Sequence, residues 1–159
     1  MGAGKSTIGK QLANRLSYTF IDTDHYIEEK TGADIPWIFD IEGEAGFRER
    51  ETNALADIVS QQGVVIATGG GIVIKEENRN LMLNAGTIVY LTASIDQLVE
   101  RTFKDKKRPL LQVEDPKKRI IELFEQRDPL YRSLAHHIVK TDKLSAKNIV
   151  NQIVTLVTA

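Results

Sequence analysis

Residues 1–24, MGAGKSTIGKQLANRLSYTFIDTD, decide the fold. Gly2-Ala3-Gly4-Lys5-Ser6-Thr7 runs directly into a segment where Ile8, Leu12 and Leu16 recur at helical spacing, with Gln11 and Arg15 on another face. Glycines ahead of a helix let backbone N–H groups turn inward to cradle phosphate oxygens. A lysine there reaches the β- and γ-phosphates, the next hydroxyl suits Mg²⁺, and the helix N-terminus adds its dipole. Gly2, Gly4, Lys5 and Ser6 fit those roles; the bland alternative is a glycine-rich helix entry with a solvated lysine. The full pattern places one more glycine two positions before Met1, after a buried strand. We therefore expect Met1 to be an internal methionine of a longer protein, whose upstream DNA encodes an apolar run ending in Gly-x. This chain is then one strand short, and that strand is the first.

Outward from this loop the pattern alternates. Tyr18–Ile21 is β-rich and ends in Asp22-Thr23-Asp24, and 43–61 reads as a long helix bounded by Gly43 and Gly63. Val64–Ala67 is continuously apolar, as for a strand buried on both faces, and 87–91 (TIVYL) repeats that character. A helix over 94–103, a basic segment over 104–116 and a helix over about 117–127 follow, the last broken at Pro129. Residues 137–140 form a last strand and 145–157 a closing helix. This is an α/β domain of three layers, helices on both sides of a parallel sheet. Ligands in such folds sit at the carboxyl ends of the strands.

Composition removes whole classes of function. The chain has 159 residues, a size suited to one domain over 1–159. With no cysteine there is no disulfide framework, thiolate metal site or cysteine nucleophile. No apolar run approaches the ~18 residues of a membrane helix, so we expect a cytoplasmic protein with no membrane partner. A net charge of −1 argues against a basic nucleic-acid coat. That sum conceals two fields: residues 22–57 carry eleven acids and three bases, and 101–119 eight bases and three acids.

Several features after the strands point to chemistry. Alternation points Asp22 and Asp24 to one side, where one can hold Mg²⁺ and the other a substrate hydroxyl; alternatively Asp24 only caps a helix from His25. Gly69-Gly70-Gly71 lets a ligand approach the backbone closely. Arg48 and Glu51 lie three apart on one helix face, which alone reads as a surface ion pair. Together, GAGKST (2–7), DTD (22–24), TGADIPWIFDIEGEAGFRERE (31–51), GGG (69–71), RPLL (108–111) and RDPLYR (127–132) resemble the shikimate kinases. These are small P-loop kinases of the nucleoside-monophosphate-kinase type, and the motifs fall in the family's order along essentially the whole chain.

The resemblance implies transfer of the ATP γ-phosphoryl group to the 3-hydroxyl of shikimate, with Mg²⁺ as cofactor, by a monomer, and it makes the missing first strand the central one of the sheet. By similarity Gly2, Ala3, Gly4, Lys5, Ser6 and Thr7 cradle ATP, Arg101 lies against adenine and Arg108 folds over the phosphates from a lid at 104–116. Ser6 and Asp22 serve the metal, and Asp24 contacts the substrate hydroxyls. Arg48 and Arg127 clamp the carboxylate, Gly70 offers its backbone, and Glu51 orients Arg48. Lys5, Asp24 and Arg108 are the catalytic set, and helices over about 24–61 bind substrate. A gluconate-type kinase and a nucleotide-binding module with little activity are the rival readings. His25, His136 and His137 lack metal-ligand spacing. Trp37 and Phe39 read as core ahead of a wall of the substrate pocket, and Lys117-Lys118-Arg119 as a solvated helix start.

Overall fold

The computed structural model describes residues 5–103 and 115–158. Its order is α1 (Lys5–Leu16), β1 (Thr19–Asp22), α2 (Thr23–Thr31), α3 (Ile35–Val59), β2 (Val64–Ala67) and a 3₁₀ turn (Gly70–Ile74). Then come α4 (Glu76–Ala85), β3 (Val89–Thr92), α5 (Ile95–Phe103), α6 (Pro116–Leu134), β4 (His137–Lys140) and α7 (Ala146–Thr158). β1 pairs with β2 in parallel, Thr19 opposite Val64 and Asp22 opposite Ala67. β3 pairs with β4 likewise, Val89 opposite His137 and Thr92 opposite Lys140.

Among the described residues the two pairs stay separate, with no ladder joining them. This bears on burial. Val64, Val65 and Ile66 are only half-buried, as are Val89, Tyr90 and Leu91, although their sequences read as doubly covered strands. A pair of strands covers less of its own surface than the interior of a wide sheet does.

Helix α1 docks through Ile8 into a cluster with Val139 of β4 and Ile149, Val150 and Ile153 of α7. Its Gly9 lies so close to β1 that an added Cβ would stand 2.5 Å from Phe20 Cε1. The helix ends at Ser17, a non-glycine residue at φ 57, whose successor Tyr18 donates its N–H back to Ala13 O at 2.8 Å.

Two expectations need correction and one needs extending. The helix expected from Gly43 is there, but another helical segment from Ile35 precedes it: Asp34 caps that segment by accepting the Trp37 N–H at 3.0 Å, and Gly43 (φ 72, ψ 179) leaves helical geometry between the two. Gly43 therefore marks a joint between helical segments, and the 3.6-residue period governs 35–42. That period buries Ile38 with Phe47 and Ala54 while Trp37 is 54% exposed, so Trp37 is not core; Phe39 packs partly against the same cluster. Pro129 does not break α6, which continues to Leu134. Its last turns are held from outside, by Leu130, Tyr131 and Leu134 packing on Leu55, Ile72 and Val73, and this offsets the lost backbone bond.

Candidate active site

The parallel register sets the ends of β1 and β2 side by side, so the segments following each share one edge. After β1, the Asp22 carboxylate divides its oxygens. Oδ1 accepts the N–H groups of Asp24 (2.9 Å) and His25 (3.2 Å), and Oδ2 accepts the Ser6 hydroxyl at 2.7 Å. The cap of α2 is thus Asp22, not Asp24, and the helix starts at Thr23. Asp22 has the extended backbone (φ −100, ψ 125) from which a short carboxylate reaches the orphan donors of the first turn. Asp24, relieved of capping, faces the triglycine: a Cβ added at Gly69 would stand 3.0 Å from Asp24 Oδ1 and 3.2 Å from Glu51 Oε2. Fully buried Thr23 ties the same turn by accepting the Gly69 N–H on Oγ1 at 3.1 Å.

Arg48 comes from α3. Its Nη1 donates to Glu51 Oε1 at 2.9 Å and its Nη2 reaches Glu44 Oε1 at 3.5 Å. Glu51 is fully buried, so this pair is not a surface ion pair. Its Oε2 has no hydrogen-bond partner within the protein. Burial pushes the Glu51 carboxyl above the usual carboxylate range against the pull of Arg48, and the Asp24 charge pushes the same way. A Cβ at Gly71 would fall on the Arg48 guanidinium, so glycine is what lets Arg48 lie against that backbone.

Arg127 enters from α6. It is 5% exposed, and its Nε has no hydrogen-bond partner within the protein. Burial lowers its basicity, and the like charge of Arg48 adds to the effect. Two guanidinium groups from different helices therefore approach one buried carboxylate, with the Asp24 and Glu44 carboxylates beside them. Such a site suits a planar anion met bidentately. The Gly70 carbonyl accepts the Tyr131 hydroxyl at 2.5 Å. Sequence reading missed Tyr131 as a site residue, although its position one helical turn beyond Arg127 is a usable signal.

The other end of the site is more open. Lys5 is half-buried at the start of α1, and Ser6 and Thr7 are exposed. Arg101 donates to Gln97 Oε1 at 2.9 Å and approaches Thr141 Oγ1 at 3.5 Å; buried Thr141 donates in turn to Thr92 O at 3.1 Å. Arg101 is thereby fixed at the carboxyl ends of β3 and β4. Gly2, Ala3, Gly4 and Arg108 lie outside the described residues, as does 104–114 of the basic segment.

The donor set of Ser6 and Asp22 fits a hard cation that takes one or two protein oxygens and completes its shell with phosphate and water, as Mg²⁺ does. Among the described residues no group of three or more His, Cys, Asp or Glu side chains could enclose a metal. His25 pairs with Glu29 at 3.0 Å on the surface, and His136 Nδ1 accepts the Ile88 N–H at 2.9 Å. No helix among the described residues is long and apolar enough to cross a membrane.

Known proteins share this arrangement of elements. The family model for shikimate kinase matches residues 1–158. The shikimate kinase of Vibrio parahaemolyticus is 53% identical over 156 residues, covering 98% of this chain and 91% of that protein. That of Shewanella denitrificans is 54% identical over 154 residues, covering 97% and 90%. The solved shikimate kinase of Acinetobacter baumannii, in complex with shikimate, superposes with a TM-score of 0.97 at 46% identity, covering 99% of this chain and 88% of that one. A gluconokinase from Sinorhizobium meliloti superposes with a TM-score of 0.64 at 18% identity, covering 99% and 87%, a likeness of fold alone. Motif order, fold and the match over nearly every residue agree, and the chain belongs to the shikimate kinase family.

Proposed function

We propose a division of labour among this chain's residues for the reaction of its family, the ATP-dependent phosphorylation of shikimate, with the 3-hydroxyl as acceptor. The observation that carries it is the convergence of Arg48 and Arg127 beside Gly71 and Asp24. The arginines hold the shikimate carboxylate, and the Gly70 backbone abuts the ring. Asp24, within reach of Gly69, orients the hydroxyl and receives its proton late in the transfer. The attacking oxygen bonds to the γ-phosphorus as the bond to the β-phosphate oxygen breaks and ADP leaves.

This chemistry needs in-line positioning and charge neutralisation more than a strong base. Lys5 and Arg108 supply positive charge to the migrating group; Gly2, Ala3, Gly4, Ser6 and Thr7 cradle phosphates, and Arg101 lies against adenine. Ser6 and Asp22 would hold Mg²⁺, which neutralises phosphate charge when bound. We further propose a single domain over 1–159 acting as a monomer in the cytoplasm. In it the helices over about 24–61 bind substrate, and the segment 104–116 closes over ATP to exclude water.

The test is an ADP-coupled assay of this chain with shikimate, gluconate and nucleoside monophosphates. Turnover is expected with shikimate alone. Preference for gluconate would overturn the clamp assignment, and nucleotide binding without turnover on any acceptor would favour the binding-module reading.

A further inference from the structure

We propose that Tyr131 is a positioning residue for the acceptor site, its hydroxyl bridging the Gly70 carbonyl and the Arg127 guanidinium so that the triglycine turn and the clamp arginine move as one unit. The proposal rests on the reading of Arg127 as a carboxylate ligand.

A phenol has one proton to donate and lone pairs to accept with. The Tyr131 proton is directed at Gly70 O, 2.5 Å away. The Arg127 guanidinium, one helical turn earlier on α6, lies close enough for the same hydroxyl to raise its basicity, and an oxygen whose proton is committed to Gly70 can serve it only as an acceptor. This direction has two consequences for an anionic substrate. The Gly70 carbonyl, whose partial negative charge would repel a carboxylate, is occupied by a donor. The Arg127 guanidinium, buried and with no protein hydrogen bond at Nε, gains an oriented oxygen that limits its rotation.

The ring is held as firmly as the hydroxyl. Tyr131 packs on Tyr90 with ring centroids 4.8 Å apart and an interplanar angle of 44°. Tyr90 donates to Asp128 Oδ1 at 2.7 Å, and Asp128 Oδ2 accepts Arg132 Nε at 2.9 Å. Thus Asp128 and Arg132, on the same helix as the clamp arginine, fix Tyr90 and Tyr90 fixes Tyr131. From the other side, Asn78 Nδ2 donates to Ile72 O at 3.0 Å and Arg79 Nη1 to Val73 O at 2.7 Å, holding the continuation of the turn against α4. Tyr131 adds a hydrogen bond from α6 to this braced turn, beside the apolar contacts of Leu130 and Leu134.

The test compares Tyr131→Phe, Ile153→Val and Arg127→Ala in steady-state kinetics with shikimate and with methyl shikimate, whose ester lacks the carboxylate charge. Tyr131→Phe keeps the ring and removes only the bridge. It is expected to raise KM for shikimate about tenfold, the size of losing one charge-assisted hydrogen bond, with kcat and KM for ATP within about twofold. With methyl shikimate the penalty should vanish, and in an Arg127→Ala background Tyr131→Phe should add almost nothing. Ile153→Val, in the cluster of α1, β4 and α7, lowers stability yet leaves KM for shikimate near wild type, which separates positioning from folding. If Arg127→Ala raises KM for shikimate but Tyr131→Phe does not, the bridge is wrong. If Arg127→Ala itself leaves that KM unchanged, the clamp reading fails first. An equal penalty of Tyr131→Phe on shikimate and its methyl ester would also overturn the proposal.

Discussion

The two ends of the proposed site are built on opposite plans. At the acceptor end, Glu51 is fully buried, Arg127 is 5% exposed, and Arg48, paired with Glu51, has most of its side chain covered. At the donor end, Ser6 and Thr7 are exposed, and Asp22 is only half-buried. The difference follows from what each end must recognise. A small neutral ring bearing one carboxylate brings little charge, so the protein must preassemble dry, oriented charges and accept the desolvation cost. A nucleoside triphosphate brings its own charge and a cation, so a loop, a lysine and a hydroxyl suffice until it arrives.

The sharpest way to break this comparison is at the chemistry itself. Lys5→Met or Asp24→Asn is expected to lower kcat by about 10³-fold or more while the fold persists, measured by single-turnover transfer. Near-normal turnover of either variant would remove that residue from the catalytic set. Next come Arg48→Ala and Arg127→Ala, each expected to raise KM for shikimate on the order of 10²-fold and KM for ATP far less. Equal effects on both substrates would mean the ends are not separable. Gly71→Ala should imitate a milder Arg48 lesion, about tenfold in KM for shikimate, because its methyl group takes the place of the guanidinium.

A further expectation concerns pH and stability. Burial raises the Glu51 carboxyl from 4.5, so the folded state binds a proton more tightly there than the unfolded chain. Relative to Glu51→Gln, the wild-type chain should therefore lose stability as pH rises from about 4.5 through the elevated folded value. Urea melts of both proteins across that window would show it, and a difference that grows in the wild type's favour with rising pH would refute it. The smallest effect belongs to the open end: Ser6→Ala should change folding stability by less than about 0.5 kcal/mol while raising the Mg²⁺ concentration needed for half-maximal activity.

Much of this was legible in the residues. The four strands lie where apolar runs place them, and the motif order carries the family. What escaped has physical reasons. The segment 35–42 alternates Trp-Ile-Phe as a strand would, and only the Asp34 cap betrays the helix. Helix α4, ENRNLMLN at its centre, is polar enough to leave no apolar stripe, because its main task is to hold Ile72 and Val73 through Asn78 and Arg79. Pro129 announces a break that tertiary packing overrides. The cap could be given to either aspartate of Asp22-Thr23-Asp24, since the choice depends on backbone angles. Convergence of Arg48 with Arg127 across 79 positions rests, at the level of sequence, on the resemblance alone.

Trp37 is the only tryptophan in the chain, and it stands half in solvent on the short helical segment between Asp34 and the bend at Gly43. Ultraviolet emission excited at the red edge of protein absorption therefore comes from that one segment. The molecule carries its own label at the mouth of α3. A change of colour or intensity on adding shikimate would time the movement of that segment without any attached dye, and constant emission would show that the acceptor end fills without moving it.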